Sequence, residues 1–156
     1  MVIRTSFFIL LCTLLMGCTP IASRAERAEK TLIEFFDLLN QEDYQTATAY
    51  YGGNYETLIG MNPTLTPSNH ALLLAYACRK NGFACRQILK TTFLDLSGSV
   101  YSFEVEFMNA DGTQFSRGAC CGEDLVSVEP QITFIYRVLE TKEGRYLVLD
   151  LPVYIP

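Results

Sequence analysis

From Ala25 onward the apolar residues recur at Ala25, Ala28, Leu32, Phe35 and Leu39, with Ile33 and Phe36 beside them. Steps of three and four put these side chains on one face of a helix. The opposite face carries Glu26 and Lys30 in the favourable i, i+4 order, and Asn40 marks the end. Asp43 is placed to cap a second helix in which Tyr44, Ala47, Thr48 and Tyr51 share a face, until Gly52-Gly53 breaks it. Asn54 to Gly60 adds one more turn, and the prolines at 63 and 67 mark a loop. Thr66 and Pro67 have the character of an N-cap and first helical residue. The spacing therefore predicts a helix over Pro67 to Lys80, burying Leu72, Leu73, Tyr76 and Ala77 and stopped by Asn81-Gly82.

After Gly82 the period changes from helical to alternating. Ile88 to Leu96 is rich in strand formers, and Ser97-Gly98-Ser99 turns it into a second strand. There Tyr101, Phe103, Val105 and Phe107 alternate with Ser102, Glu104 and Glu106. Asn109-Ala110-Asp111-Gly112 predicts a hairpin into a third strand over Thr113 to Arg117, and Gly118 to Pro130 is a longer loop. Gln131 to Thr141 alternates through Ile132, Phe134, Tyr136 and Val138, and Lys142-Glu143-Gly144 turns it into Arg145 to Tyr154. Helices first and about five antiparallel strands second predict an α+β fold, with the helices packed on one face of a curved sheet.

The start of the chain reads differently. Met1 to Arg4 carries one cation, and Phe7 to Met16 is apolar apart from Thr13, a pattern of signal-peptide type. The run is shorter than the roughly 20 apolar residues a membrane-spanning helix needs. Leu15-Met16-Gly17-Cys18 resembles the lipobox of bacterial lipoproteins, which implies cleavage before Cys18 and acylation of that cysteine. Membrane lipid is then a partner through Cys18. Residues 1–17 are expected to form the signal peptide, 18–24 the lipidated N-terminus and tether, and 25–156 a single domain. Thr19 in place of an aspartate implies, by the same resemblance, outer-membrane sorting where the organism has one. Cleavage removes Arg4, so the net charge moves from −5 to −6. With a pI near 4.8 and no Lys/Arg cluster, nucleic acid is not an expected partner.

In the remaining domain, Phe35-Phe36-Asp37-Leu38-Leu39, then Glu42-Asp43-Tyr44 with Ala47 and Tyr50-Tyr51, then the closing Leu147-Val148-Leu149-Asp150 are similar to the nuclear-transport-factor-2-like superfamily, cystatin-like in topology. That resemblance implies a cone between helices and sheet that takes a small apolar ligand or serves an envelope protein, with homodimers pairing through the sheet face. In enzymes of the superfamily a tyrosine and acidic residues converge in the cone. The residues expected to line it here are Tyr44, Tyr51, Tyr101, Phe103 and Tyr136, with Asp150 nearby.

With Cys12 in the signal peptide and Cys18 at the lipobox, four of the six cysteines remain: Cys78, Cys85, Cys120 and Cys121. An exported domain favours disulfides, and four cysteines allow three connectivities. A simple meander puts Cys85 far from residue 118, which argues for a local Cys78–Cys85 pair, but leaves a rare vicinal bridge; the pairing is open. Neither C-x-x-C redox spacing nor zinc-ligand spacing occurs, and no metal or cofactor is expected. His70, the single histidine, has no nucleophile patterned near it, and no hydrolase, phosphate-loop or dinucleotide motif is found. No catalytic residue is assigned. The expectation is a lipid-anchored extracytoplasmic binding or assembly module, with an isomerase- or dehydratase-like enzyme and a thiol-redox lipoprotein as the competing readings.

Overall fold

A computed structural model describes residues 21–118 and 129–155. In chain order they form α1 (Ile21–Asn40), α2 (Tyr44–Ala47), α3 (Glu56–Met61), α4 (His70–Arg79), β1 (Ile88–Ser97), β2 (Val100–Phe107), β3 (Phe134–Glu140) and β4 (Tyr146–Val148). The fold is α+β, with an open antiparallel sheet in the order β1-β2-β3-β4.

The α1 stripe follows its spacing: Ala25, Ala28, Leu32, Phe35, Phe36 and Leu39 are buried, whereas Ile33 is 36% exposed. Residues 21–24 already belong to this helix, so part of the segment read as tether is helical. α1 lies across the sheet, where the Phe36 ring meets those of Phe107 at 4.9 Å and Tyr136 at 5.0 Å. β2 supplies the matching surface, because Tyr101, Phe103, Val105 and Phe107 all point inward and are at most 1% exposed. Burying such aromatic side chains contributes about 1.5–3 kcal/mol apiece and accounts for the joint between the layers.

Several elements differ from the sequence expectation for identifiable reasons. Asp43 caps α2 as expected, its carboxylate accepting from Thr46 N at 3.1 Å. That helix nevertheless stops at Ala47, because Val148 N donates to Tyr50 O and Gly52 N to Val148 O, drawing 50–52 out along the edge of β4. α4 starts at His70 rather than Pro67. Thr66 to Asn69 closes as a turn, and the Asn69 side chain accepts from Leu72 N at 3.1 Å as the true N-cap. The shift rotates the buried face to Leu73, Leu74 and Ala77 and leaves Leu72 at 36% exposure. Gly82 ends this region with a φ of +78°, and a Cβ there would stand 2.5 Å from Ile155 O.

The described residues contain four named strands, not five. Thr113 to Arg117 has Phe115 as its one large apolar residue and so no alternating face to bury; it makes only the isolated bridges Met108 with Gln114 and Arg117 with Gln131. The last strand ends at Val148, well before Tyr154. Asp150 turns its carboxylate onto Arg137 N at 2.8 Å, replacing a main-chain partner, and Pro152 has no N–H to donate. The chain then leaves the sheet and pairs with 82–84, through Ala84 N to Val153 O and Ile155 N to Gly82 O.

Candidate functional site

The five residues expected to line an open cone are core. Tyr44, Tyr51, Tyr101, Phe103 and Tyr136 are all at most 8% exposed. Tyr51 stacks on Phe35 at 5.8 Å and donates to Asn54 O, while Tyr136 stands edge-on between Phe36 and Phe107. Burial raises the hydroxyl pKa of Tyr51 and Tyr136 well above the ordinary tyrosine range, with the Asp150 charge adding to the shift in both. Tyr101 is pushed up to about 12, first by burial and then by its 2.7 Å hydrogen bond to Glu140. This tyrosine–carboxylate pair sits at the start of β2. Asp150 is engaged elsewhere, accepting from the Arg137 guanidinium at 2.6 Å.

Among the described residues, open space lies at the other end of β2. A cleft of about 710 Å³ is lined by the end of α1 (Leu39, Asn40) with Glu42 and Tyr44, by Cys78 and Arg79 of α4, by residues 82–87, by Met108 to Ala110 and by Ile155. Of the five residues expected in a pocket, only Tyr44 touches it. Main-chain bonds hold the walls together: Met108 N donates to Gln87 O at 2.9 Å, and Ile155 N to Gly82 O at 2.8 Å. The buried Asn62 ties the end of α3 to the end of α4 by donating to Leu58 O at 2.7 Å and Asn81 Oδ1 at 3.0 Å.

Cys78 and Cys85 form a disulfide in the cleft wall, Cα–Cα 5.4 Å. It clamps the last turn of α4 to the segment that leads into β1, and Asn40 Nδ2 reaches Cys85 O from α1 at 3.4 Å. Cys18, Cys120 and Cys121 lie outside the described residues.

Two arginines shape the rim. Arg79 pairs with Glu42, and its guanidinium stands 5.4 Å over the Tyr44 ring. The same pairing raises the Arg79 pKa. Glu42 sits just past the end of α1 with φ 63°, a left-handed conformation that ordinary side chains rarely take. Arg86 lies 4.6 Å over the Phe115 ring, and its Nε is shut from solvent with no acceptor. Sequence reasoning missed Glu42, Arg79 and Arg86. They stand far apart in the sequence, and what joins them is the meeting of two helix ends with the segment that leads into β1.

Comparison with protein-family models, curated proteins and solved structures gives no match. The geometry therefore carries the functional argument. Among the described residues no group of three or more His, Cys, Asp or Glu side chains is placed to hold a metal ion, and no helix is long and apolar enough to cross a membrane. The cleft joins an apolar floor of Leu39, Phe83, Ala84 and Met108 to a rim of guanidinium and amide groups. Such a mixture suits binding of a small ligand by a few directed polar contacts over an apolar surface.

Proposed function

We propose that this chain is a lipid-anchored extracytoplasmic binding module, of the nuclear-transport-factor-2-like type, that uses the cleft at the end of α4 and not the cone. One contrast carries the reading: the cone is filled by Tyr51, Tyr101, Phe103 and Tyr136, whereas a cleft of about 710 Å³ opens beside the Cys78–Cys85 disulfide. A disulfide in the wall of the cleft fits an oxidising compartment outside the cytoplasm. The lipobox-like Leu15-Met16-Gly17-Cys18 lies three residues ahead of Ile21, the first described residue, so acylation of Cys18 would hold the domain close to its bilayer. On the outward face of the sheet, Ile135 at 56% exposure is where pairing of two copies would bury apolar surface.

The test is the intact mass of the membrane-extracted protein, before and after reduction with alkylation. The proposal expects an acylated species beginning at Cys18, with Cys78 and Cys85 alkylated only after reduction. An unmodified chain beginning at Met1, or free thiols at Cys78 and Cys85 before reduction, would contradict it. A second reading, thiol–disulfide exchange, draws on the place of the Cys78–Cys85 bridge in the cleft wall. It requires that a small-molecule dithiol reduce this bridge readily in the folded protein, and a bridge that resists until the chain unfolds rules it out.

A further inference from the structure

Glu42, Arg79 and Arg86 are the charged side chains lining the cleft. Glu42 and Arg79 neutralise each other. Arg86 has no such partner among the described residues, which leaves the cleft with one uncompensated positive charge on a chain of net charge −5. The charge of Arg86 reaches Asp111, but as the weakest of the influences lowering that carboxyl's pKa. Asp111 is already committed to Thr113, accepting from its N at 3.0 Å and its Oγ1 at 2.7 Å.

The guanidinium of Arg86 is also held in place. It stacks 4.6 Å over Phe115, and its Nε is enclosed without an acceptor, so part of its hydration has been given up with no protein group in exchange. A fixed guanidinium presents a planar fork of donors that matches a carboxylate in two parallel hydrogen bonds. Beside it Leu39, Phe83, Met108 and Ile155 supply apolar surface.

We propose that the cleft binds a small monocarboxylate with an apolar body, its carboxylate on Arg86 and its body against Phe83, Met108 and Ile155. This rests on the reading of the cleft as the binding surface and adds the class of ligand. One uncompensated cation beside a neutral ion pair matches a monoanion.

The test uses the full-length chain in lipid nanodiscs, with octanoate as the probe, octan-1-ol as its uncharged counterpart and inorganic phosphate as a multiply charged anion. Phenylglyoxal labelling of arginines is followed by peptide mass spectrometry, with Arg145 as the internal reference. Octanoate is expected to slow labelling of Arg86 at least about five-fold while leaving Arg145 unchanged, as a buried charge-assisted pair should. Octan-1-ol and phosphate should give little protection. In amide NMR spectra, octanoate shifts at Gly82 and Ala84 should vanish in Arg86→Gln and persist, weakened, in Arg86→Lys, with the remaining peaks showing that both variants fold. Equal effects from octanoate and octan-1-ol, or from octanoate and phosphate, would overturn the carboxylate assignment and leave the binding cleft standing. No shift at Gly82 or Ala84 with either eight-carbon probe would overturn both readings.

Discussion

The middle and one end of the helix–sheet joint are closed in opposite ways. At the middle of α1 and β2, Phe35, Phe36, Tyr101, Phe103, Phe107 and Tyr136 interlock and leave at most 2% of any of them exposed. At the end of β2 the walls are held by a disulfide, an ion pair and a few main-chain bonds around an open cleft. Aromatic packing secures the fold where shape alone suffices. A covalent clamp secures it where polar groups face solvent and packing is thin.

The sharpest way to break this comparison is Phe36→Ala, which opens a hole between α1 and the sheet. Loss of a fully buried phenyl ring should cost about 3–5 kcal/mol, read from urea unfolding midpoints. A cost below about 1 kcal/mol would mean the cone is loosely filled and able to host a ligand. Next in size is the double change Cys78→Ser with Cys85→Ser. The bridge spans a sequence separation of 7, and removing a loop of that length should cost about 2–3 kcal/mol in chain entropy. The loss should appear in hydrogen exchange first at 79–87, with the protection of β2 preserved.

Alkaline pH sharpens the same contrast. Tyr55 and Tyr101 are each pushed up to about 12 from an ordinary 10, Tyr55 by burial and Tyr101 by burial and then Glu140. A raised folded-state value means the folded chain holds protons that the unfolded chain has released. The stability is therefore complete below pH 10 and should decline as pH rises from 10 toward 12, as urea midpoints across that range would register. Stability unchanged across that window would place these hydroxyls in water. The smallest expected effect is Glu42→Gly. It removes an exposed ion pair worth little and relieves the left-handed backbone, whose φ is 63°. Thermal unfolding should show no loss, or a gain of up to about 1 kcal/mol.

The α+β class, the α1 stripe and the inward face of β2 were legible in the sequence because each repeats one physical period over many residues. The end of β4 was not, since Asp150 replaces a strand partner with its side chain and only the folded register brings it to Arg137. The same holds for the start of α4, where Thr66 to Asn69 forms a turn and Asn69, not Thr66, caps the helix. For the site, alternation indicated which tyrosines face inward but carried no measure of how fully they fill the space. The cleft residues were hidden for a different reason: Glu42, Arg79, Arg86 and Met108 come from separate elements, and no local pattern joins them. The Cys78–Cys85 pairing was one of three left open by counting, and proximity at the end of α4 is what closes it.

The central claim is that accessible space lies in the cleft and not in the cone. Amide and methyl NMR spectra of the full-length chain, titrated with isopropanol as a small amphiphilic probe, test it most directly. The account predicts shifts at Gly82, Ala84 and Ala110 with Phe103, Val105 and Val138 unmoved. Shifts concentrated at Phe103, Val105 and Val138, with the cleft silent, would contradict it.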